Sequence, residues 1–111
     1  MGLSTHILDT ALGKPAAGVA LVLSCEARDG WNEVGRGSTD ADGRCRTLLG
    51  EHALELATYK LRFEIAPYFA ARGITGLYPY VEIVFSVADP SQHYHIPLLL
   101  AANGYTTYRG S

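Results

Sequence analysis

Tyr59-Lys60-Leu61-Arg62-Phe63-Glu64-Ile65 alternates apolar and charged residues without a break. Strand side chains point alternately to opposite faces, so this run reads as a half-buried strand with Tyr59, Leu61, Phe63 and Ile65 turned inward. Residues 81–87 repeat the pattern, with Val81, Ile83, Phe85 and Val87 on one face. Residues 18–26 are apolar on both faces until Ser24, and 5–8, 33–38, 93–100 and 105–109 supply further strands. A very short strand at 47–49 is a further candidate. Between these runs lie turn-forming groups: Gly13-Lys14-Pro15, Asp29-Gly30, Asp42-Gly43, Ala88-Asp89-Pro90 and Asn103-Gly104. Asn-Gly and Asp-Gly suit turns whose central residues take positive φ, so the last two strands read as a hairpin turning at Asn103-Gly104. Residues 67–73 start with Pro67 and stop at Gly73, the asymmetry of a short helix. Residues 51–58 have a helix-friendly composition but run into the following strand. The expectation is an all-β, two-sheet sandwich of seven or eight strands with one short helix, as a single domain over 1–111.

The bulk properties agree with one core. The chain has 111 residues, 48% of them hydrophobic and 18% charged, spread along its length with no repeat or linker. Nine Lys and Arg against eleven Asp and Glu give a net charge of −2, which offers no basic stripe for a phosphate backbone and excludes nucleic acid as a partner. Apolar runs such as 96–102 are far shorter than the roughly 18 residues of a membrane-spanning helix, so no membrane partner is expected. A sandwich this small rarely encloses a large private pocket, so an active site should be shallow or shared between subunits. Cys25 and Cys45 show no Cys-x-x-Cys spacing; they read as two reduced thiols, with one disulfide in a secreted protein as the alternative. The first six residues hold no basic patch followed by an apolar run, and the last four spell no organelle address. The expected location is cytoplasmic.

Candidate chemistry centres on four histidines, because imidazole changes charge nearest neutral pH. His93 and His95 are two apart on a strand whose apolar set is Tyr94, Ile96, Leu98 and Leu100, so both project away from the core. Such a pair suits two metal ligands, a general base with a partner, or two solvated edge residues, and no third ligand is evident. His52 falls on a surface turn and has no assigned role. Thr39-Asp40-Ala41-Asp42-Gly43-Arg44 invites a calcium-loop reading, which fails because Ser38 and Leu49 stand where acids are needed. It reads as a turn, after which Arg44 offers planar paired donors for substrate oxygens. Asp9 and Asp29 form no obvious carboxylate pair, and no nucleophile elbow, phosphate loop, dinucleotide fingerprint or zinc-protease motif occurs.

The order of the motifs adds more. Leu3-Ser4-Thr5-His6-Ile7-Leu8-Asp9-Thr10 with Gly13-Lys14-Pro15-Ala16, then residues 39–44, Tyr78-Pro79-Tyr80-Val81-Glu82-Ile83 and His93-Tyr94-His95-Ile96-Pro97-Leu98-Leu99-Leu100, resemble in sequence order the signatures of the transthyretin-like family. The ending Tyr108-Arg109-Gly110-Ser111 resembles that of the family's 5-hydroxyisourate-hydrolysing branch, not of its hormone carriers. The resemblance implies a transthyretin-like β-sandwich of two four-stranded sheets with one short helix. It also implies a homotetramer with active sites at the dimer–dimer interface. The implied reaction opens the ring of 5-hydroxyisourate, the product of urate oxidation, without metal or other cofactor. His6, Arg44 and His95 are then the catalytic residues, and Tyr108 and Ser111 join His6 and Arg44 in binding substrate. A carrier of small ligands, using the same interface without chemistry, is the alternative. Ala101-Ala102-Asn103 departs from the Ser-Pro usual at that point, which bears on the loop alone.

Overall fold

Strand β5, Ala57–Glu64, buries Tyr59, Leu61 and Phe63 completely and leaves Lys60, Arg62 and Glu64 on the outer face. The computed structural model describes Gly2–Ser111. Its other strands are β1 (Gly2–Asp9), β2 (Lys14–Pro15), β3 (Ala20–Ala27), β4 (Gly30–Ser38), β6 (Val81–Val87), β7 (His93–Ala101) and β8 (Gly104–Thr107), with one helix, α1, at Ile65–Ala70. One four-stranded sheet runs β2-β1-β7-β8 and the other β4-β3-β5-β6, which is the expected two-sheet sandwich. The inner faces of both sheets meet in one core that includes Ile7, Leu21, Leu61, Val81, Leu98 and Leu100. Among the described residues no helix is long and apolar enough to cross a membrane.

All pairings are antiparallel except β1 with β7, whose parallel register runs from Gly2 opposite His93 to Asp9 opposite Leu100. A parallel pair needs a long connection, and here the entire second sheet supplies it. Thr5 lies on the inner face and stays satisfied because its hydroxyl donates to the Ile96 carbonyl at 2.7 Å.

Several local expectations are corrected. Residues 47–49 form no strand: they bend beneath β4, where Leu48 is fully buried and its carbonyl oxygen occupies the space that a Cβ on Gly35 would need. Neighbouring backbone, not alternation, decides that segment. Residues 51–58 form no helix; their last residues, Ala57 and Thr58, open β5. The helix begins at Ile65, two residues before Pro67, because a proline is tolerated in the first turn; Ile65 therefore leaves the strand and joins the helix. It ends at Ala70, and Gly73 follows with φ +70 as the Ile74 amide donates back to the Phe69 carbonyl at 3.0 Å. The final hairpin turns on Ala102 and Asn103, with Gly104 already paired to Ala101, and neither Asn103 nor Gly104 has positive φ. The Leu77 amide donates to the Ala102 carbonyl at 3.0 Å, so a neighbouring loop holds this turn. Strand β8 stops at Thr107, which leaves Tyr108 and Arg109 beyond it. Lys14–Pro15, read as part of a turn, pairs with β1. His52 is half-buried, with Nε2 3.1 Å from the Tyr59 hydroxyl. Cys25 and Cys45 are both free.

Asp9, at the inner end of β1, is 3% exposed and ties the sandwich to the helix. Its Oδ1 accepts from the amides of Ala11 (3.0 Å) and Leu12 (3.2 Å), and its Oδ2 accepts from the Tyr68 hydroxyl at 2.8 Å. Burial, followed by this bond to a carboxylate, pushes the Tyr68 phenol up to about 12. Hydrogen bonds to charged groups contribute about 1.5–3 kcal/mol each. Tyr68→Phe keeps the ring and removes the donor, so urea unfolding at fixed protein concentration should show a loss in that range with an unchanged m-value.

Candidate active site

The period of two that sends Leu3, Thr5 and Ile7 into the core sends Ser4 and His6 to the outer face of the same sheet. On β7 the corresponding outward residues are His93, exposed, and His95, half-buried. The parallel register sets Ser4 beside His95 and His6 beside Pro97. The Ser4 Oγ lies 2.7 Å from His93 Nε2 and 2.8 Å from His95 Nδ1, so one hydroxyl joins both rings. His95 Nε2 has no hydrogen-bond partner among the described residues.

Arg44 reaches this face through the backbone of its turn. Asp40 Oδ1 accepts from the amides of Asp42 (2.9 Å) and Arg44 (3.1 Å), and Gly43 takes φ +75. A Cβ on Gly43 would stand 2.6 Å from the Ile7 carbonyl, so only glycine lets the turn lie against β1. The Ile7 amide donates to the Gly43 carbonyl at 2.9 Å, and His6 and Arg44 form an isolated antiparallel bridge. The acids of the turn are occupied by another cation: Arg46 lies 3.4 Å from Asp40 and 3.7 Å from Asp42. The Arg44 guanidinium is exposed and has no ion-pair or hydrogen-bond partner among the described residues.

The electrostatic result falls on His95. Burial first, then the positive charge of Arg44, holds its imidazole below the usual value of 6.5, and His6 and His93 add to the effect against a hydrogen bond with the Ser4 backbone. His95 is thus neutral at neutral pH, with a lone pair available for a proton. As pH falls through 6.5 the unfolded chain takes a proton that the folded site resists, so His95 lowers folding stability on the acid side and leaves it unaffected well above.

The chain terminus crosses the same face. The Gly110 amide donates to the His95 carbonyl at 2.8 Å, and a Cβ on Gly110 would overlap the His95 ring, so Gly110 lets the tail lie flat on it. Ser111 follows directly and is exposed. Tyr108, 54% exposed, lines a cavity of about 320 Å³ with Ile83, Phe85, Tyr94 and Ile96, and no histidine lines that cavity. Of the residues expected in the site, His6, Arg44 and His95 come together, Ser111 is adjacent through Gly110, and Tyr108 lies towards β6. Ser4 is the residue that the sequence reading left without a role. Its only sequence signal is its place two before His6, on the same strand face. Among the described residues no three His, Cys, Asp or Glu side chains are grouped to hold a metal ion.

The two-sheet sandwich with β1 parallel to β7 and a histidine-bearing outer face defines a transthyretin-like domain. A family model described as the HIUase/Transthyretin family matches residues 3–110, and the chain belongs to that family. The 5-hydroxyisourate hydrolase of Mus musculus is 46% identical over 114 positions, covering 98% of this chain and 94% of that protein. The structure of Klebsiella pneumoniae 5-hydroxyisourate hydrolase superposes with a TM-score of 0.86 at 37% identity, covering 98% of both chains. Transthyretin from Sparus aurata superposes with a TM-score of 0.90 at 34% identity, covering 97% of this chain and 95% of that one.

The lowered His95 titration has a direct check by NMR of the imidazole ring. Its midpoint should lie below 6.5 in the native protein, move upward in Arg44→Ala and stay low in Arg44→Lys.

Proposed function

We propose that this chain hydrolyses 5-hydroxyisourate to 2-oxo-4-hydroxy-4-carboxy-5-ureidoimidazoline, the step that follows urate oxidation. The observation that carries the reading is the grouping of His95, half-buried and hydrogen-bonded at Nδ1, with His6 and the unpaired guanidinium of Arg44, where burial and then Arg44 hold the His95 imidazole below its usual value. His95 Nε2 takes a proton from water as the water oxygen bonds to the ring acyl carbon. The negative charge that develops on the acyl oxygen is stabilised by Arg44. The acyl carbon–nitrogen bond then breaks, the proton held by His95 passes to the departing nitrogen, and the new carboxyl group ionises. His6 orients the water and substrate, and Ser111, beside His95 through Gly110, closes one side of the site; Tyr108 lies towards β6, outside this group. The scheme draws on no metal or cofactor.

Four concavities among the described residues are lined by none of His6, Arg44 and His95, and on that face Arg44 and His93 are exposed. This supports a homotetramer, as family membership also suggests, in which a second subunit covers that face at the dimer–dimer interface. The free thiols of Cys25 and Cys45 accord with a cytoplasmic location. The likeness to transthyretin from Sparus aurata raises a second reading, a carrier of small ligands. A carrier has no use for a neutral base beside an uncompensated guanidinium.

Generating 5-hydroxyisourate in place with urate oxidase and following its decay by absorbance tests the activity: decay at the spontaneous rate would remove the hydrolase reading. His95→Asn should lower kcat by about 10²–10⁴-fold, the usual contribution of a general base. Arg44→Ala should lower it by roughly 10²–10³-fold, as for loss of an oxyanion donor. Both variants should keep the native mass in light scattering, and that mass should correspond to four chains.

A further inference from the structure

A serine hydroxyl has one proton to give and two lone pairs to receive with. The Ser4 Oγ touches two imidazole nitrogens, so its single proton points to His93 Nε2 or to His95 Nδ1, and the other ring is free to donate to it. The two rings are therefore coupled through one atom. If His95 donates Nδ1–H to Ser4, Ser4 donates to His93 Nε2, and the His95 lone pair sits on Nε2. If the chain of donors runs the other way, His93 donates to Ser4, Ser4 donates to His95 Nδ1, and the His95 proton sits on Nε2.

We propose that Ser4 and His93 are positioning residues that hold His95 in the tautomer with its lone pair on Nε2, and that protonation of His93 reverses the chain and withdraws that lone pair. The inference rests on the hydrolase reading, because only a bare Nε2 serves as the base there. Its physical ground is pairing. A protonated His93 donates from Nε2 to Ser4. Were His95 to donate as well, the Ser4 proton would lack an acceptor among the described residues, since its hydroxyl contacts only these two rings. The positive ring of His93 also attracts a lone pair on His95 Nδ1 and repels an N–H there. Both effects turn the His95 proton to Nε2, the side offered to substrate.

The charged and titratable neighbours are few. His6 and Ser4 face His95 from β1, and Arg44 faces it from the 39–44 turn. On the His93 side, Arg109 donates to the Gln92 side-chain oxygen at 2.8 Å and lies 3.4 Å from the His93 carbonyl. His93 itself is exposed, so it exchanges protons with solvent while His95 stays half-buried.

The consequence is an acid limb with two protons in it, one on a residue that never meets substrate. The test measures kcat/KM against pH for the full chain, with spontaneous decay subtracted and each variant normalised to its own value at high pH. His93→Gln keeps an acceptor for Ser4 but cannot charge. At mildly acidic pH it should retain about fivefold more of its plateau than the native protein, the ratio that one neutral hydrogen bond sets. Its limb should fall with the slope of a single proton. In a Ser4→Ala background the His93→Gln change should have no effect on the limb, whereas Ser4→Thr should restore the difference. Superimposed native and His93→Gln profiles would overturn the proposal. So would an undiminished His93→Gln effect without the Ser4 hydroxyl, which would mean simple charge repulsion through space. Nitrogen NMR gives a reading independent of turnover: at neutral pH His95 should carry its proton on Nδ1 and move it to Nε2 as His93 charges. A His95 proton found on Nε2 throughout would sink the inference even if the hydrolase activity stands. If the protein instead fails to turn over 5-hydroxyisourate while the tautomer shift appears, the reading of function fails and the coupling remains.

Discussion

The parallel pairing of β1 with β7 is the constraint on which both core and site depend. It joins residues 2–9 to residues 93–100 across almost the whole length of the chain. Because strand side chains alternate, a slip of one residue would exchange the faces, sending His6 into the core and Ile7 out. The core forbids it: Leu3, Thr5 and Ile7 face inward and Thr5 finds its acceptor only at Ile96. The core's demand for Ile7 and Leu98 thereby fixes the distance from Ser4 to two histidines on the opposite face. Apolar packing and the donor geometry of the site are two sides of one register.

A second constraint is the division of labour between neighbouring arginines. Asp40 is held below its ordinary value, first by the Arg44 amide and with help from the Asp42 amide and Arg46. The carboxylate is used by backbone donors and by Arg46, not by the guanidinium of Arg44. Had the turn carried one arginine only, the acids two and four residues before it would have competed for it. With two, the first is directed to His6 and the histidine face while the second neutralises the turn. After burial, the uncompensated positive charge is the second cause that holds the His95 imidazole below its usual value, and the proposed attack on an acyl carbon draws on both groups.

What could be read from the sequence follows the range of the forces involved. Tyr59, Leu61 and Phe63 were legible because burial on one sheet face writes itself as a local period of two. The outward projection of His93 and His95 was legible for the same reason. Leu48 misled, since its burial comes from a glycine of β4 that makes room for passing backbone, a relation that no alternation records. The two residues of β2 are strand only because β1 lies beside them. Arg44 entered as a candidate from its place after the turn and its paired donors, with its catalytic role implied by likeness of motif; its freedom from Asp40 depends on where Arg46 sits. The role of Ser4 was invisible, because its partners lie 89 and 91 positions away and only the register brings them within hydrogen-bond distance.

The same fold carries a transthyretin and a 5-hydroxyisourate hydrolase, so the backbone does not decide between them and the outer face must. That face has a floor but no roof in the single chain: β1, β7 and one turn supply side chains from below, and the tail supplies Gly110 from the side. Half-burial alone already moves His95 towards neutrality, with Arg44 as the second cause. Covering the face with another subunit removes water from the guanidinium and the imidazole together. Loss of water strengthens the pull of Arg44 on a developing oxyanion and further disfavours a charged His95. Both changes act in the direction of catalysis. In the proposed tetramer, subunit association would therefore do more than shape the substrate's walls: it would set the dielectric around His95 and Arg44.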